Sequence, residues 1–527
     1  MTTTQTIDVL EELRLLTPRL RAEAVDLDAA RALPSTIIDQ LRDHGVFRLL
    51  APRELGGAET EPLTFLQVVE ETAYADGSVG WCTMIGGCYS TFAGLLPPEG
   101  AREIFGHERT ISAGAFRPSG VARPVDGGFQ VSGRWRLGSG SSHADWFLGG
   151  CVIADDADGP ASPPGVTTAR LMFLPASAVE VIDTWDATGL RGTASHDYSV
   201  GDLFVPAHHA MWFSDRPAVD RTLYRMPVVG LFAAYVAAVP LGIGRHALEA
   251  FRALAADKTS GTSLAPLASK PLAQAHLGRA ETVIAAGRTM LVHAVELVWE
   301  KVRSGQRPTL ADHRSLWVVA SYAAPAALEA TESLYATAGS NSVYASCPLD
   351  RCLRDVRTAV QHVVLQEANY DHLGRELLTP ADVPGPWIMD YRTASYRAIS
   401  AAAELPRVCV PYHASRISPN PDLHIAPKRR PGPSHNGTPA TPSHGACRGA
   451  PPPTWSLNGQ GWFGLLGCCP RSSRGRVSAP AGTCAAGARS GRGREGAQVP
   501  GPWSLGNKRE PGPRTRAICS RRAHAWS

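Results

Sequence analysis

The sequence predicts an α+β chain whose helices and strands are segregated along it. Three observations carry that prediction: apolar residues at helical spacing before about residue 108, short β-branched segments over 109–206, and long alanine-rich helical runs after them. In the first stretch Leu10, Leu13, Leu16 and Leu20 fall on one helical face, and Pro34-Ser35 opens a further helix that Gly45 is placed to end. Residues 62–75 read as another helix, leading into D-G-S-V-G-W at Asp76. The period then changes. T-I-S-A-G-A-F, G-F-Q-V-S-G-R-W-R-L, D-W-F-L-G-G-C-V-I, A-R-L-M-F-L and D-Y-S-V-G-D-L-F-V are short, alternating or β-branched, and punctuated by Gly, Pro and Asp, so they read as strands. Beyond Pro206, helices are predicted over 224–257, 271–304, 310–338, 348–378 and 387–404, with no internal repeat.

Charge divides the chain differently. Seventeen of the 52 Lys and Arg residues but three of the 48 Asp and Glu residues lie beyond Val410, which leaves the body ten charges negative and the tail fourteen positive. The mildly basic average therefore gives the body no reason to bind nucleic acid. The tail is rich in Gly, Pro, Ser and Arg without an apolar period, a composition that cannot bury enough surface to offset chain entropy. It is expected to be disordered, and its texture resembles a GC-rich gene read out of frame, so a frameshifted terminus is the favoured explanation. Cys468-Cys469 has no metal-ligand spacing around it, and no metal site is expected anywhere in the chain.

Cys82, Cys88, Cys151, Cys347, Cys352 and Cys409 form no C-x-x-C pair and follow no signal peptide, because M-T-T-T-Q-T-I-D-V-L is polar rather than basic and then apolar. No run of about 18 apolar residues appears. A reduced, cytoplasmic protein without a membrane span is expected.

Three motifs narrow the fold. G-R-W-R-L-G-S-G-S-S-H-A-D-W (133–146), W-D-A-T-G-L-R-G-T-A-S-H-D-Y (185–198) and P-L-D-R-C-L-R-D-V-R-T-A-V-Q-H (348–362) occur in order at consistent separations. Together with the helix–strand–helix order they resemble the flavin-dependent monooxygenases of the acyl-CoA dehydrogenase fold, the oxygenase halves of two-component systems. The resemblance covers roughly residues 10–400. It implies an N-terminal helical domain (1–108), a central β-barrel-like strand domain (109–206) and a C-terminal four-helix bundle (207–405), followed by the tail (406–527). It also implies a homotetramer, and reduced FMN or FAD supplied by a separate flavin reductase. O2 and a small aromatic or heteroatom-containing molecule would be the substrates.

The residue types suit that chemistry. A flavin needs an apolar slot and hydrogen bonds at its N5 and pyrimidine edge. In W-R-L-G-S-G, Trp135 can wall the ring, Gly138 and Gly140 permit close backbone approach, and Ser139 offers a hydroxyl. The resemblance places Trp135, Leu137, Ser139 and Gly140 around the flavin, with Ser139 near N5. Gly339 and Ser340, at the end of E-S-L-Y-A-T-A-G-S-N-S, would reach the flavin of a neighbouring subunit; the ordinary reading is a helix cap. No G-x-G-x-x-G stands in a strand–turn–helix setting, so a Rossmann NAD(P)H site is not expected.

His362 is the central candidate. A lone histidine on an aliphatic helix is usually core, but relatives carry a histidine here beside the oxygenated flavin, and imidazole can donate or accept near neutral pH. A dehydrogenase of this fold can keep its catalytic glutamate about eight residues beyond the R-D pair; here Val363 stands eight after Asp355 and no Glu-Gly follows. A second, substrate-side histidine is missing after Gly80-Trp81, where Cys88 and Tyr89 stand instead. Tyr89, His143 and Ser195 are the expected substrate-side residues, with His196 a further rim histidine. The alternatives are an acyl-CoA dehydrogenase oxidising an acyl thioester and a non-catalytic scaffold of the same fold.

Overall fold

The computed structural model describes residues 3–378 apart from 155–168, 214, 258 and 261–262. The tail and the predicted 387–404 helix lie outside the described residues. The chain opens with α1 (Thr3–Ala22), α2 (Ala24–Ala30), α3 (Ser35–Asp43), α4 (Pro62–Ala75), α5 (Gly77–Tyr89) and α6 (Pro98–Phe105). Helix α3 starts after Pro34, and the chain turns away after it at Gly45, whose φ of 67° suits glycine. Asp76 caps α5 by accepting from the N–H groups of Ser78 and Val79.

The strand block follows: β1 (Ser112–Val125), β2 (Gly128–Gly138), β3 (Trp146–Ile153), β4 (Ala169–Pro175), β5 (Glu180–Ile182), β6 (His196–Pro206) and β7 (Ala210–Met211). All five predicted strands are present, four of them longer than their motifs and β3 one residue shorter. They form one mixed sheet in the order β5-β6-β2-β1-β3-β4-β7, in which β1 and β3 are parallel and the other pairs antiparallel. Among the described residues this order has edges at β5 and β7. A register shift in β2 opposite β6 bulges the strand between Trp135 and Gly138, after which Gly138 pairs with His196.

Three long helices come next: α7 (Val228–Asp257), α8 (Pro271–Arg303) and α9 (Leu310–Ala338), with a short hairpin β8 (Thr259–Ser260) and β9 (Ser263–Pro266) between the first two. The predicted 348–378 helix is instead two, α10 (Pro348–Ala359) and α11 (Ala368–Leu378), separated by a 3-10 turn over Val363–Leu365. His362 lies in that break. Its φ of −63° and ψ of 135° are extended, and Asn369 fixes the turn by donating to Val364 O at 3.0 Å and Ser321 Oγ at 2.7 Å.

One apolar core runs from α1–α6 through Leu148, Leu171 and Phe173 into α7–α10, and a second lies within the sheet around Trp135, Phe147 and Tyr198. Helix α7 is its axis. Two helices, α7 and α8, reach the length and hydropathy of a membrane span, although the sequence predicts no such run; 89% of the most apolar window of α7 is buried inside the protein, so its apolarity is accounted for by core packing. Gly242 lets α7 touch α4, since a Cβ there would stand 2.3 Å from Glu70 O.

Candidate functional site

The end of β2, the 185–195 loop, α5 and the α10 break converge on one group of hydroxyls. Trp81 Nε1 donates to Ser139 Oγ at 2.9 Å; Ser139 Oγ and Ser195 Oγ are 2.7 Å apart, as are Ser195 Oγ and Thr193 Oγ1; Thr193 Oγ1 donates to Leu190 O at 2.8 Å. The two ends fix the direction of the whole chain. An indole N–H can only donate and a carbonyl only accept, so Thr193 receives from Ser195, and Ser195 from Ser139. The Ser139 proton is thereby committed away from Trp81, and its oxygen keeps one free lone pair. Ser139, Ser195, Thr193 and Trp81 are all buried.

Trp81 also faces His362, with ring centroids 5.8 Å apart, and Phe232 lies 5.6 Å from the same imidazole. Burial in this apolar setting pushes the His362 pKa down to about 4, so the ring is neutral at pH 7. Its Nδ1 accepts weakly from Val364 N at 3.4 Å. A neutral imidazole accepting at Nδ1 carries its proton on Nε2, which makes His362 a hydrogen-bond donor there.

Backbone strain collects in the same place. Among the described residues, six non-glycines have positive φ, and three of them, Leu137 (64°), Leu190 (50°) and Ala194 (44°), flank Ser139 and Ser195. Leu137 is 56% exposed. Gly140, at φ 81°, donates to Thr193 O at 2.8 Å, joining the β2 end to the loop.

The other predicted residues separate. Trp135 is a correction: it is fully buried within the sheet, stacked on Tyr198 at 5.3 Å, and its Nε1 donates to Gly150 O at 2.7 Å, so neither a face nor a donor is left for a cofactor. Tyr89 donates to Gly114 O at 3.0 Å and packs against Phe92 and Phe116. Phe116 in turn meets Phe213 at 5.1 Å and Phe232 at 5.0 Å, so an aromatic row runs from Tyr89 to His362. His143 packs over Gly140; its Nε2 is buried without a hydrogen-bond partner, and burial pushes its pKa down to about 4. His196 Nδ1 accepts from the N–H groups of Thr184 and Trp185, both at 3.1 Å, which makes it a loop anchor. Gly339 and Ser340 lie exposed at the end of α9. Trp81, Thr193 and Phe232 are site residues that sequence reasoning missed; the Gly80-Trp81 pair was the available signal.

Asp355 does not act as a substrate base. Its Oδ1 accepts from Leu190 N at 2.6 Å, its Oδ2 lies 3.6 Å from Arg351 Nε, and Arg351 pairs with Asp76 at 2.6 Å. Desolvation raises its pKa to about 6. Its work is to tie the 185–192 loop to α5 and α10. A cavity of about 290 Å³ beside it, lined by Arg21, His246, Glu249 and Arg351, includes none of the residues predicted for the site.

Burial of histidines fixes a pH response. His143, His246 and His362 all have pKa values pushed down to about 4 by desolvation, so the unfolded chain binds three protons below pH 6.5 that the folded chain refuses. The stability they confer is whole above pH 6.5 and is lost as pH falls toward 4, at up to about 3 kcal/mol each. Urea midpoints measured from pH 7 to 4.5 will fall steadily; a constant midpoint contradicts the assignment.

The arrangement offers a free serine lone pair, a neutral imidazole donor, an exposed apolar side chain on strained backbone and an orphan imidazole nitrogen at Gly140. This donor set fits a planar, amphipathic ring with N–H and carbonyl groups along one edge, as a flavin has. Fold and site together define a flavoprotein oxygenase. The chain matches the family descriptions "Acyl-CoA dehydrogenase, N-terminal domain" over residues 13–93 and "Acyl-CoA dehydrogenase, C-terminal domain" over 234–367. It is 32% identical over 368 residues to an indole-3-acetate monooxygenase of Pseudomonas putida, covering 70% of this chain and 92% of that protein. It is 31% identical over 252 residues to the flavin-dependent monooxygenase oxygenase subunit HsaA of Rhodococcus jostii, covering 46% and 64% of the two chains. The structure of XiaF from Streptomyces sp. in complex with FADH2 and glycerol superposes with a TM-score of 0.67 at 22% identity, covering 72% and 97%. The chain belongs to the flavin-dependent monooxygenases of the acyl-CoA dehydrogenase fold.

Proposed function

We propose that this chain is the oxygenase component of a two-component system, taking free reduced FMN or FAD from a separate flavin reductase and hydroxylating a small aromatic molecule with O2. The observation that carries the reading is the directed hydroxyl chain through Ser139, which Trp81 connects to a neutral, donating His362. Bound reduced flavin supplies two electrons to O2, so that one oxygen atom enters the product and the other leaves as water. Ser139 Oγ, its proton donated to Ser195, would accept from the flavin N5–H, a donor that only the reduced cofactor carries. His362 Nε2–H donates toward the reacting oxygen. Leu137 and Gly140 border the ring, and Gly339 and Ser340 reach the cofactor of a neighbouring subunit in a homotetramer. The aromatic row from Tyr89 through Phe116, Phe213 and Phe232 receives the substrate ring, with His143 and Ser195 bounding the slot. Similarity to an enzyme named for indole-3-acetate supports an aromatic substrate of that kind.

The test is oxygen-dependent turnover. Reduced flavin mixed anaerobically with the protein and then with O2 in a stopped-flow cell should give a transient near-ultraviolet absorbance. Indole-3-acetate or a related aromatic acid should yield a hydroxylated product when a generic flavin reductase regenerates the cofactor. Bleaching of bound oxidised flavin by an acyl thioester would instead identify a dehydrogenase.

The finer architecture belongs to the same reading: a barrel-like strand domain over 109–206, a four-helix bundle over 207–405 and a cytoplasmic protein whose 406–527 tail takes no part. A chain ending near Val410 will fold, bind reduced flavin and elute as a tetramer on sizing. Loss of soluble protein on truncation, or a monomeric body, contradicts that expectation.

A further inference from the structure

The two histidines that follow β6 stand apart from the flavin site, on the 3-10 turn Ala207–His209, and both point at one carboxylate of α6. Glu103 Oε2 lies 2.6 Å from His209 Nε2 and 3.2 Å from His208 Nε2. Glu99, one helical turn earlier on the same face of α6, brings its Oε2 to 3.8 Å from the other nitrogen of His208, Nδ1. The approach of the two elements is close, since a Cβ on Gly100 would stand 2.0 Å from His208 O. His209 is buried edge-on to Trp146, and the two imidazoles meet at 4.7 Å and 89°.

His208 makes this more than a pair of hydrogen bonds. A neutral imidazole has one N–H, yet carboxylates face both of its nitrogens. If Nδ1–H is directed to Glu99, the Nε2 lone pair confronts the Glu103 oxygen, and only a positive charge between them makes that contact attractive. Glu103, His208 and His209 each offer one ligand atom, and these three all lie within 4.8 Å of one another. In a tetrahedral zinc site with bonds near 2.0–2.1 Å, neighbouring ligand atoms are about 3.3 Å apart. The His208 contact already has that spacing, and the His209 contact opens to it by a small rotation of Glu103, whose side chain is half exposed. Glu99 then plays the part that carboxylates commonly take behind a ligating histidine, fixing its tautomer and raising its basicity.

We propose that Glu103, His208 and His209 bind a divalent late first-row cation, Zn2+ in the first instance, with water in the fourth position and Glu99 supporting His208. Imidazole and carboxylate ligands select such ions over Mg2+ and Ca2+, which require more oxygen donors. The ion clips α6 to the β6–β7 turn. Through Phe105, which packs on Phe173 at 5.7 Å, and Phe173, which packs on Phe92 at 6.3 Å, the clip also braces the aromatic row.

The test uses the full chain, stripped with chelator, dialysed and titrated with ZnCl2 in a calorimeter. Cysteines and histidines elsewhere in the chain can take up zinc, so the measurement is a difference. The His208→Ala/His209→Ala double variant should bind one Zn2+ fewer per chain than the parent, and zinc should raise the thermal midpoint of the parent but not of the double variant. Glu103→Gln, which still accepts a hydrogen bond from imidazole but lacks the charge, should weaken the site by at least about tenfold while leaving the zinc-free midpoint near the parent's; Glu99→Gln should weaken it by about tenfold. Should the double variant fail to fold, Glu103→Gln decides alone. Equal zinc stoichiometry in parent and double variant, or unchanged affinity in Glu103→Gln, overturns the proposal and leaves an imidazolium–carboxylate contact in its place.

Discussion

His362→Ala will lower hydroxylation by about 10²- to 10⁴-fold, the range typical of a positioned acid or base, while hydrogen peroxide release rises as reductant is consumed without product. The fold should survive. His362 lies in the break after α10 rather than within a helix, and its side chain's one hydrogen bond among the described residues is the weak 3.4 Å contact from Val364 N. The side chain packs at an angle against Trp81 and Phe232, so truncation leaves a gap and frees one backbone donor, Val364 N–H, from a weak bond. Reduced-flavin affinity should change little, because Ser139, Leu137 and Gly140 are untouched. His362→Asn refines the result: an amide can donate without titrating, so partial recovery of coupling identifies hydrogen-bond donation rather than proton abstraction as the contribution. A His362→Ala variant that couples reductant to product at the parent rate makes the residue a core histidine. Parallel loss of helical signal and of activity leads to the same conclusion.

Trp135→Ala is expected to destabilise the folded chain by about 3–5 kcal/mol, the cost of emptying a large aromatic site in a packed core. Trp135 is fully buried, and three glycines, Gly120, Gly133 and Gly149, are cut away to receive its ring: a Cβ on any of them would come within 2.8 Å of the indole. Substitution also leaves Gly150 O without its 2.7 Å donor and Tyr198 without its stacking partner. A denaturation midpoint lowered by that amount, with any flavin defect tracking the loss of fold, supports a structural role. A stable variant with weakened flavin binding restores the cofactor wall that the motif suggested.

Those two residues mark what the sequence discloses and what it hides. Strand and helix periods are local properties, and β1–β4, β6 and the long helices α7–α9 follow from them, with 310–338 recovered to the residue as α9. The three-residue strand β5 left no period to read. The 348–378 run has helical composition throughout, but Asn369 reaches Ser321, 48 positions away, and that non-local contact holds the break open. The site motif was legible and its tryptophan was misassigned for a physical reason: alternation in β2 shows that Trp135 faces inward, and a core-facing position and a ligand-facing one produce the same pattern. Trp81, the indole that does reach Ser139, stands 58 positions earlier on a helix buried on every side, where hydrophobic periodicity carries no direction. Thr193 sat within a quoted motif, yet its place as the penultimate link depends on a hydroxyl orientation that only the assembled chain defines.

Helix α7 sets a problem of timing for synthesis. Emerging from the ribosome, it exposes a long apolar stretch that the finished molecule hides, and α9, the helix packed along much of it, is made only after the 33 residues of α8. For those seconds the nascent chain carries an apolar rod of membrane-spanning length, sheltered only by what has already emerged. Helix α4, against which Gly242 seats α7 at near-backbone contact, has by then been made. The N-terminal helices can therefore act as an internal chaperone. Production of the 207–378 segment alone should accumulate aggregated or membrane-associated material that co-expression of residues 1–206 relieves.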